Sequence, residues 1–176
     1  IAREAIVFAT GADVTVTNVS RAQLAGIFAG RITNWSELAG KPAPIRVFYR
    51  EETAESLRII RSRLPEFATL KFTANGRLLN LDFEVIEALE RLAWGIGWGS
   101  AGNVRAAKGL RVLSVDGIVP SATTIKSGEY PLYFDAVLLY KRETLKGGAK
   151  AFLDFAFSHA GRAVTEAFGA LPIEPQ

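Results

Sequence analysis

The chain has 176 residues, 49% of them hydrophobic and 22% charged, with 21 Lys and Arg against 18 Asp and Glu. That length allows one domain or two small ones, and the composition excludes a disordered chain. The formal charge of +3 is spread along the sequence. It forms no concentrated basic face of the kind nucleic-acid binding needs, and no apolar run approaches the roughly 18 residues of a membrane span. Cysteine is absent, which excludes disulfides, thiolate metal sites and cysteine nucleophiles. Methionine is absent too, and Ile1 to Val7 reads as the interior of a longer, processed polypeptide.

In chain order, Ile6 to Ala9 predicts a short buried strand and Val14 to Thr17 a second β-rich stretch. Ser20 is placed to cap a helix from Arg21 to Ala29, with Leu24, Ile27 and Phe28 on one face and Gly30 as its stop. Thr33 to Leu38 predicts a small helical turn closed by Gly40, in which Trp35 reads as a core anchor. Ile45 to Tyr49 alternates as a strand. A polar turn from Arg50 to Thr53 follows, and Thr53 can cap a helix running to Leu64, ended by Pro65. Phe83 to Ala93 predicts an amphipathic helix, with Asp82, Glu84, Glu87 and Glu90 as its solvated face. Gly95 to Gly99 reads as a tightly packed strand, and Leu110 to Val115 as another, ended by Asp116-Gly117. Leu132 to Tyr140 predicts a long strand. Helices over Lys150–Phe157 and Gly161–Phe168 are split by Ser158-His159-Ala160, and Gly169 to Ile173 is extended. Strands alternating with helices predict an α/β fold with a mixed sheet and flanking helices.

Catalytic chemistry has little material to work with. His159 is the one histidine, it falls in a polar break, and no Gly-x-Ser-x-Gly elbow accompanies it. No catalytic residue, metal ligand set or cofactor is nominated, and an enzyme ranks last among the readings. The informative feature is the strand–turn–helix from Val47 to Leu57. Free backbone N–H groups and the positive end of the helix dipole suit an anion there. Arg50 offers a planar fork, and Thr53 and Ser56 offer hydroxyls. The same residues also fit an ordinary helix start, with Thr53 as N-cap and Glu51, Glu52 and Glu55 complementing the dipole. Spacing leaves both readings open.

A resemblance adds to this reading. Leu24-x-x-Ile27-Phe28-x-Gly30-x-Ile32-Thr33-Asn34-Trp35-x-Glu37-Leu38 resembles a stretch of the phosphate-binding substrate proteins of ABC transporters, the PstS-like periplasmic binding proteins. Further similar segments follow in the same order. They are Ile45-Arg46-Val47-x-x-Arg50-Glu51-Glu52, Gly95-Ile96-Gly97-Trp98, Val115-Asp116-Gly117-Ile118-x-Pro120-Ser121 and Gly128-Glu129-Tyr130-Pro131-Leu132. Phe152-Leu153-Asp154-Phe155-x-x-Ser158-x-x-Gly161 and Gly169-Ala170-Leu171-Pro172 complete the set, so the likeness runs from about residue 2 to residue 173.

The resemblance implies a type II periplasmic binding protein fold, two α/β lobes joined by hinge strands with ligand between them. Residues 10–128 would form a second-lobe-like domain. Residues 1–9 and 129–176 would be hinge strands and a C-terminal segment belonging with the first lobe, most of which this sequence lacks. The implied function is non-catalytic binding of phosphate or another oxyanion for ABC-type import or sensing. The implied partners are the transporter's membrane subunits, the implied location periplasmic or extracellular, with no nucleic acid and no direct membrane insertion. The binding residues would be Arg50, Thr53, Ala54, Ser56 and the hinge acid Glu4, which reads equally as a solvated residue.

The binding motif departs from the family's R-x-x-G-S-G-T. Arg50 is kept and Ser56 keeps a hydroxyl, but Ala54 stands in the serine's place and Glu55 in a glycine's. A carboxylate there would oppose phosphate by about 1 kcal/mol or more at the dielectric of a cleft. That substitution and the missing lobe favour an alternative: a divergent interaction module of the cell envelope that has lost phosphate binding.

Overall fold

The computed structural model describes residues 1–174. Its strands are β1 (Ala2–Thr10), β2 (Asn18–Val19), β3 (Arg46–Arg50), β4 (Arg77–Leu79), β5 (Gly95–Ser100), β6 (Arg111–Val112), β7 (Ser114–Val115), β8 (Tyr133–Ala136) and β9 (Leu171–Pro172). Its helices are α1 (Arg21–Phe28), α2 (Glu55–Arg63), α3 (Asp82–Arg91), α4 (Ala101–Ala106), α5 (Ala122–Ser127), α6 (Gly147–Phe157) and α7 (His159–Ala167). The expected α/β fold with a mixed sheet and flanking helices is present. Strand order is β4-β3-β5-β1-β6, with β3 parallel to β4 and β5, and β1 antiparallel to β5 and β6.

The long strand β1 ties the chain together. Its second half, from Ile6 to Thr10, pairs with β5 and β6. Its first half pairs with β8 and β9. Tyr130 stands where these halves meet: it is buried, and its hydroxyl donates to the Ile6 carbonyl at 2.7 Å. Burial pushes the Tyr130 pKa well above the ordinary tyrosine range, because the anion would lose its hydration there.

The core lies between the sheet and α1, α2 and α3. Phe8, Phe28, Phe67, Phe72 and Trp98 meet as edge-on and tilted pairs with ring centroids 5.3–6.2 Å apart, and Tyr49 stacks on Phe72 at 4.4 Å. On β5, Ile96 and Trp98 are buried while the intervening glycines meet α3. A Cβ at Gly97 would lie 2.7 Å from Val85 Cγ1, so the helix sits closer to the sheet than a side chain allows.

Local signals explain the motif around Trp35. Ser20 Oγ accepts the Gln23 N–H at 3.1 Å and Gln23 Oε1 accepts the Ser20 N–H at 2.8 Å, a reciprocal cap on α1. Asn34 Oδ1 accepts from the backbone of Ser36 and Ala43, and Glu37 Oε1 from that of Thr33 and Asn34. Trp35 is fully buried, with Nε1 on the Trp94 carbonyl at 3.0 Å. Thr33, Asn34, Trp35 and Glu37 thus serve the turn itself.

Several expectations are corrected. Val14 to Thr17 is not a strand: Val14 and Val16 point inward, but Arg111 Nη1 takes the Val14 carbonyl at 3.0 Å and only Asn18–Val19 pairs, with Ser114–Val115. Leu110 to Val115 is two short strands, since Arg111–Val112 pairs with β1 and Ser114–Val115 with β2. The strand expected over Leu132–Tyr140 is found over Tyr133–Ala136, paired with Ala2–Ala5 of β1. Ser158 alone separates α6 from α7, capping the latter by accepting the Gly161 N–H at 3.1 Å, and His159 is exposed within α7. Helices α4 and α5 had no expectation. Residues 175 and 176 of the expected C-terminal segment lie outside the described residues.

Candidate functional site

A cleft of about 310 Å³ opens where β1, α2, α3, β5 and α4 converge, lined by Glu4, Ser56, Asp82, Ser100, Asn103 and Phe168 among others. Each polar group reaches it from a defined position. Glu4 projects from the first half of β1, and its Oε1 accepts the Gly102 N–H in the first turn of α4 at 2.9 Å. Gly102 is needed for that approach, since a Cβ there would lie 2.9 Å from Glu4 Oε1 and 3.2 Å from the Phe168 carbonyl. Ser100 caps α4, its Oγ accepting the Asn103 N–H at 3.3 Å.

Ser56 enters from the first turn of α2. Its Oγ accepts the Trp98 Nε1–H at 3.1 Å, which leaves the hydroxyl proton available. The intrahelical ladder of α2 begins with the Arg58 N–H on the Ala54 carbonyl, so the N–H groups of Glu55, Ser56 and Leu57 precede it. Thr53 does not cap this helix. It is exposed in the preceding turn, and Ala54, buried and without a capping side chain, holds the N-cap position. The physical reason is one residue of phase: the turn closes with the Ala54 N–H on the Glu51 carbonyl at 3.0 Å, which starts the helix after Ala54.

Arg50 ends β3 directly behind the cleft and is only 7% exposed. Its Nε donates to the Leu79 carbonyl at 3.1 Å and its Nη2 to the Asn80 carbonyl at 2.7 Å. Nη2 also reaches Glu51 Oε1 at 3.4 Å, and Nη1 donates to Asp82 Oδ1. Asp82, the first residue of α3, therefore stands between the arginine and the cleft it lines. Of the five expected residues, the cleft lining includes Glu4 and Ser56. Arg50 is placed behind Asp82, and Thr53 and Ala54 lie in the turn before α2. Ser100 and Asn103 carry no expectation from the sequence, and Asp82, expected on the solvated face of its helix, instead lines the cleft and pairs with Arg50. That pairing carried no usable signal, because it spans 32 residues through a stretch without clear periodicity.

One long strand crosses the sheet and pairs with different partners at its two ends, and the polar cleft lies beside that crossing. Residues 1–160 match the family model described as "PBP superfamily domain", and the chain belongs to that superfamily. It is 28% identical to the phosphate-binding protein PstS of Borreliella burgdorferi over 180 residues, covering 98% of this chain and 64% of that protein. The Bacillus subtilis protein of the same name is 29% identical over 148 residues, covering 84% of this chain and 47% of its own. The chain thus spans roughly half to two thirds of these relatives' length. Among solved structures, PstS from Borrelia burgdorferi superposes with a TM-score of 0.70 at 28% identity, over 99% of this chain and 71% of that one. A Clostridium perfringens protein solved with phosphate bound superposes with a TM-score of 0.81 at 23% identity, over 98% of this chain and 70% of that one, a likeness of fold alone.

Proposed function

We propose that the protein is a non-catalytic solute-binding protein of an ABC-type importer or sensor, taking phosphate or another oxyanion in the cleft at the start of α2. On this reading residues 10–128 are the second lobe, β1 and β8 are hinge strands, and α6 and α7 pack against a first lobe. Its partners would be a transporter's membrane subunits, and its place the periplasm or the extracellular face. No helix of the described residues is long and apolar enough to cross a membrane.

The observation that carries the reading is that Ser56 brings the opening turn of α2 to the cleft, with Arg50 held directly behind it by Asp82, in a chain similar to PstS proteins. Ser56 and the opening N–H groups of α2 are hydrogen-bond donors at a helix N-terminus, the arrangement that holds an oxyanion. Glu4 lines the same cleft and can only accept when ionised. It therefore favours an oxyanion that carries a proton, such as hydrogen phosphate, over sulfate, which carries none at neutral pH.

Isothermal titration calorimetry with phosphate, then sulfate, tests this. Saturable binding of phosphate, weakened about tenfold or more in Ser56→Ala, is the expected outcome. No heat with either anion up to about 10 mM would overturn it. Arg50→Ala is the less clean variant, because it also releases the Leu79 and Asn80 carbonyls. The second reading, an envelope interaction module without a solute, is favoured by one observation: Arg50 already holds carboxylates of its own chain.

A further inference from the structure

We propose that Asp82 is a specificity-determining residue of the cleft: it occupies the outward edge of the Arg50 guanidinium in place of a ligand, and an incoming oxyanion must displace it. The inference rests on the oxyanion-binding reading above.

Three observations carry it. First, the arginine is fixed. Its Nε and Nη2 are committed to the Leu79 and Asn80 carbonyls, and at 7% exposure it has no room to swing toward a ligand. The one edge available for exchange is Nη1. Second, the group on that edge is free to leave. The Asp82 side chain is 54% exposed, lines the cleft and starts α3, so rotation about its own side-chain bonds carries the carboxylate into water without moving the helix. Third, the other carboxylate on Arg50 cannot play this part. Glu51 makes the longer contact, at 3.4 Å to Nη2, its second oxygen is buried without a partner, and it does not line the cleft.

The consequence is a threshold. A ligand meets a binding-competent arginine only in the fraction of molecules whose Asp82 has swung away, and its apparent affinity falls by that fraction. The ligand must also outcompete a monoanionic carboxylate held close by the chain. Doubly charged oxyanions gain roughly twice the Coulomb attraction of a monoanion at equal distance, so they pass where nitrate or formate does not. Asp82 would therefore select for charge, apart from any selection by shape.

The test is titration of the full chain with phosphate, sulfate and nitrate, in the parent protein, Asp82→Asn and Glu87→Gln. The last makes the same charge change on the exposed face of α3, away from the cleft. In Asp82→Asn we expect phosphate to tighten about tenfold and nitrate to gain by a larger factor, narrowing the dianion-to-monoanion ratio, while Glu87→Gln stays within about twofold of the parent. Phosphate binding that is unchanged or weaker in Asp82→Asn, at unchanged melting temperature, overturns the inference. If Asp82→Asn is unstable, Asp82→Ser is titrated in its place with the same expectation. Absence of binding in both parent and variant would overturn the inference together with the oxyanion reading, whereas a parent that binds and a variant that does not tighten sinks this inference only.

Discussion

Between Ala5 and Leu132 most large apolar side chains close on one another, with Phe8, Phe28, Trp35, Phe67, Trp98 and Tyr130 all but sealed from water, although a few such as Phe83 and Val119 stay open. From Val137 onward the same kinds of side chain lie open: Leu139 is 93% exposed, and Phe152, Phe155, Val164 and Phe168 are each about half exposed or more. Helix α6 buries no residue and α7 only Gly161. Both regions are amphipathic in sequence. The difference lies in cover, since β3, β4 and β5 are followed or flanked by helices that fold back on them, whereas α6 and α7 mainly meet each other and β9. An apolar helical face of that extent is the kind a soluble protein normally keeps against another surface.

The sharpest way to break this comparison is to open the self-contained core. Phe28 touches the rings of Phe8, Phe67, Phe72 and Trp98, so Phe28→Ala leaves a cavity that neighbours from four directions cannot fill. A loss of about 3–5 kcal/mol in urea-induced unfolding is expected. Next comes overpacking rather than underpacking. Gly97→Val would drive a side chain into Val85 Cγ1, 2.7 Å from the ideal Cβ, and into the Phe48 carbonyl region at 3.3 Å, costing about 1–3 kcal/mol. A loss under about 0.5 kcal/mol would show that α3 lifts off the sheet easily.

Tyr130→Phe tests the junction of the two regions. It strands the Ile6 carbonyl, and a cost of about 1–2 kcal/mol is expected at neutral pH. The sign of its pH dependence follows from burial. The folded Tyr130 keeps its proton to higher pH than the unfolded tyrosine, which ionises near about 10. The parent protein's stability contribution from this group is therefore full below about pH 10 and falls as pH rises beyond it. Tyr130→Phe should lose that alkaline slope, seen as a smaller difference in melting temperature between neutral and alkaline buffer. A smaller effect is expected at Asp135. The hydrogen bond from Arg3, at 2.8 Å, holds its carboxyl below the usual range, so the pair stabilises at neutral pH and fades as pH falls toward that lowered value. With both side chains partly exposed, Asp135→Asn should cost about 0.2–1 kcal/mol, measurable in low salt and reduced at high salt.

Much of the first region was legible in the sequence because its signals are local. Ser20 and Gln23 sit three apart and cap α1, Asn34 and Glu37 do the same for the turn at Trp35, and the alternation from Ile45 to Tyr49 is that of β3. What was illegible depended on partners distant in the chain. Thr53 has the chemistry of a cap, yet the backbone turn from Glu51 to Ala54 moves the helix start past it. Val14 and Val16 alternate like a strand, yet Arg111, nearly a hundred residues on, takes the carbonyl a ladder would use. The site divides in the same way. Glu4 and Ser56 could be named from motif position, while Asp82 is defined by an arginine on another strand.

The smallest expected effect is the one that sharpens the comparison most. Phe152 and Phe155 resemble core residues by composition and lie on the face of α6 that nothing in the described residues covers. If that exposure holds in solution, replacing them with serine removes little buried area, and Phe152→Ser and Phe155→Ser should each change stability by less than about 0.5 kcal/mol. They should also reduce the tendency of the chain to self-associate at high concentration, read by light scattering. Hydrogen exchange gives the same contrast without mutation, since amides of α6 and α7 should exchange through local opening while those of β5 and α3 exchange only near the global unfolding limit. A cost of several kcal/mol at Phe155 would mean that this face is covered in solution, and the two regions would then differ in partner rather than in packing.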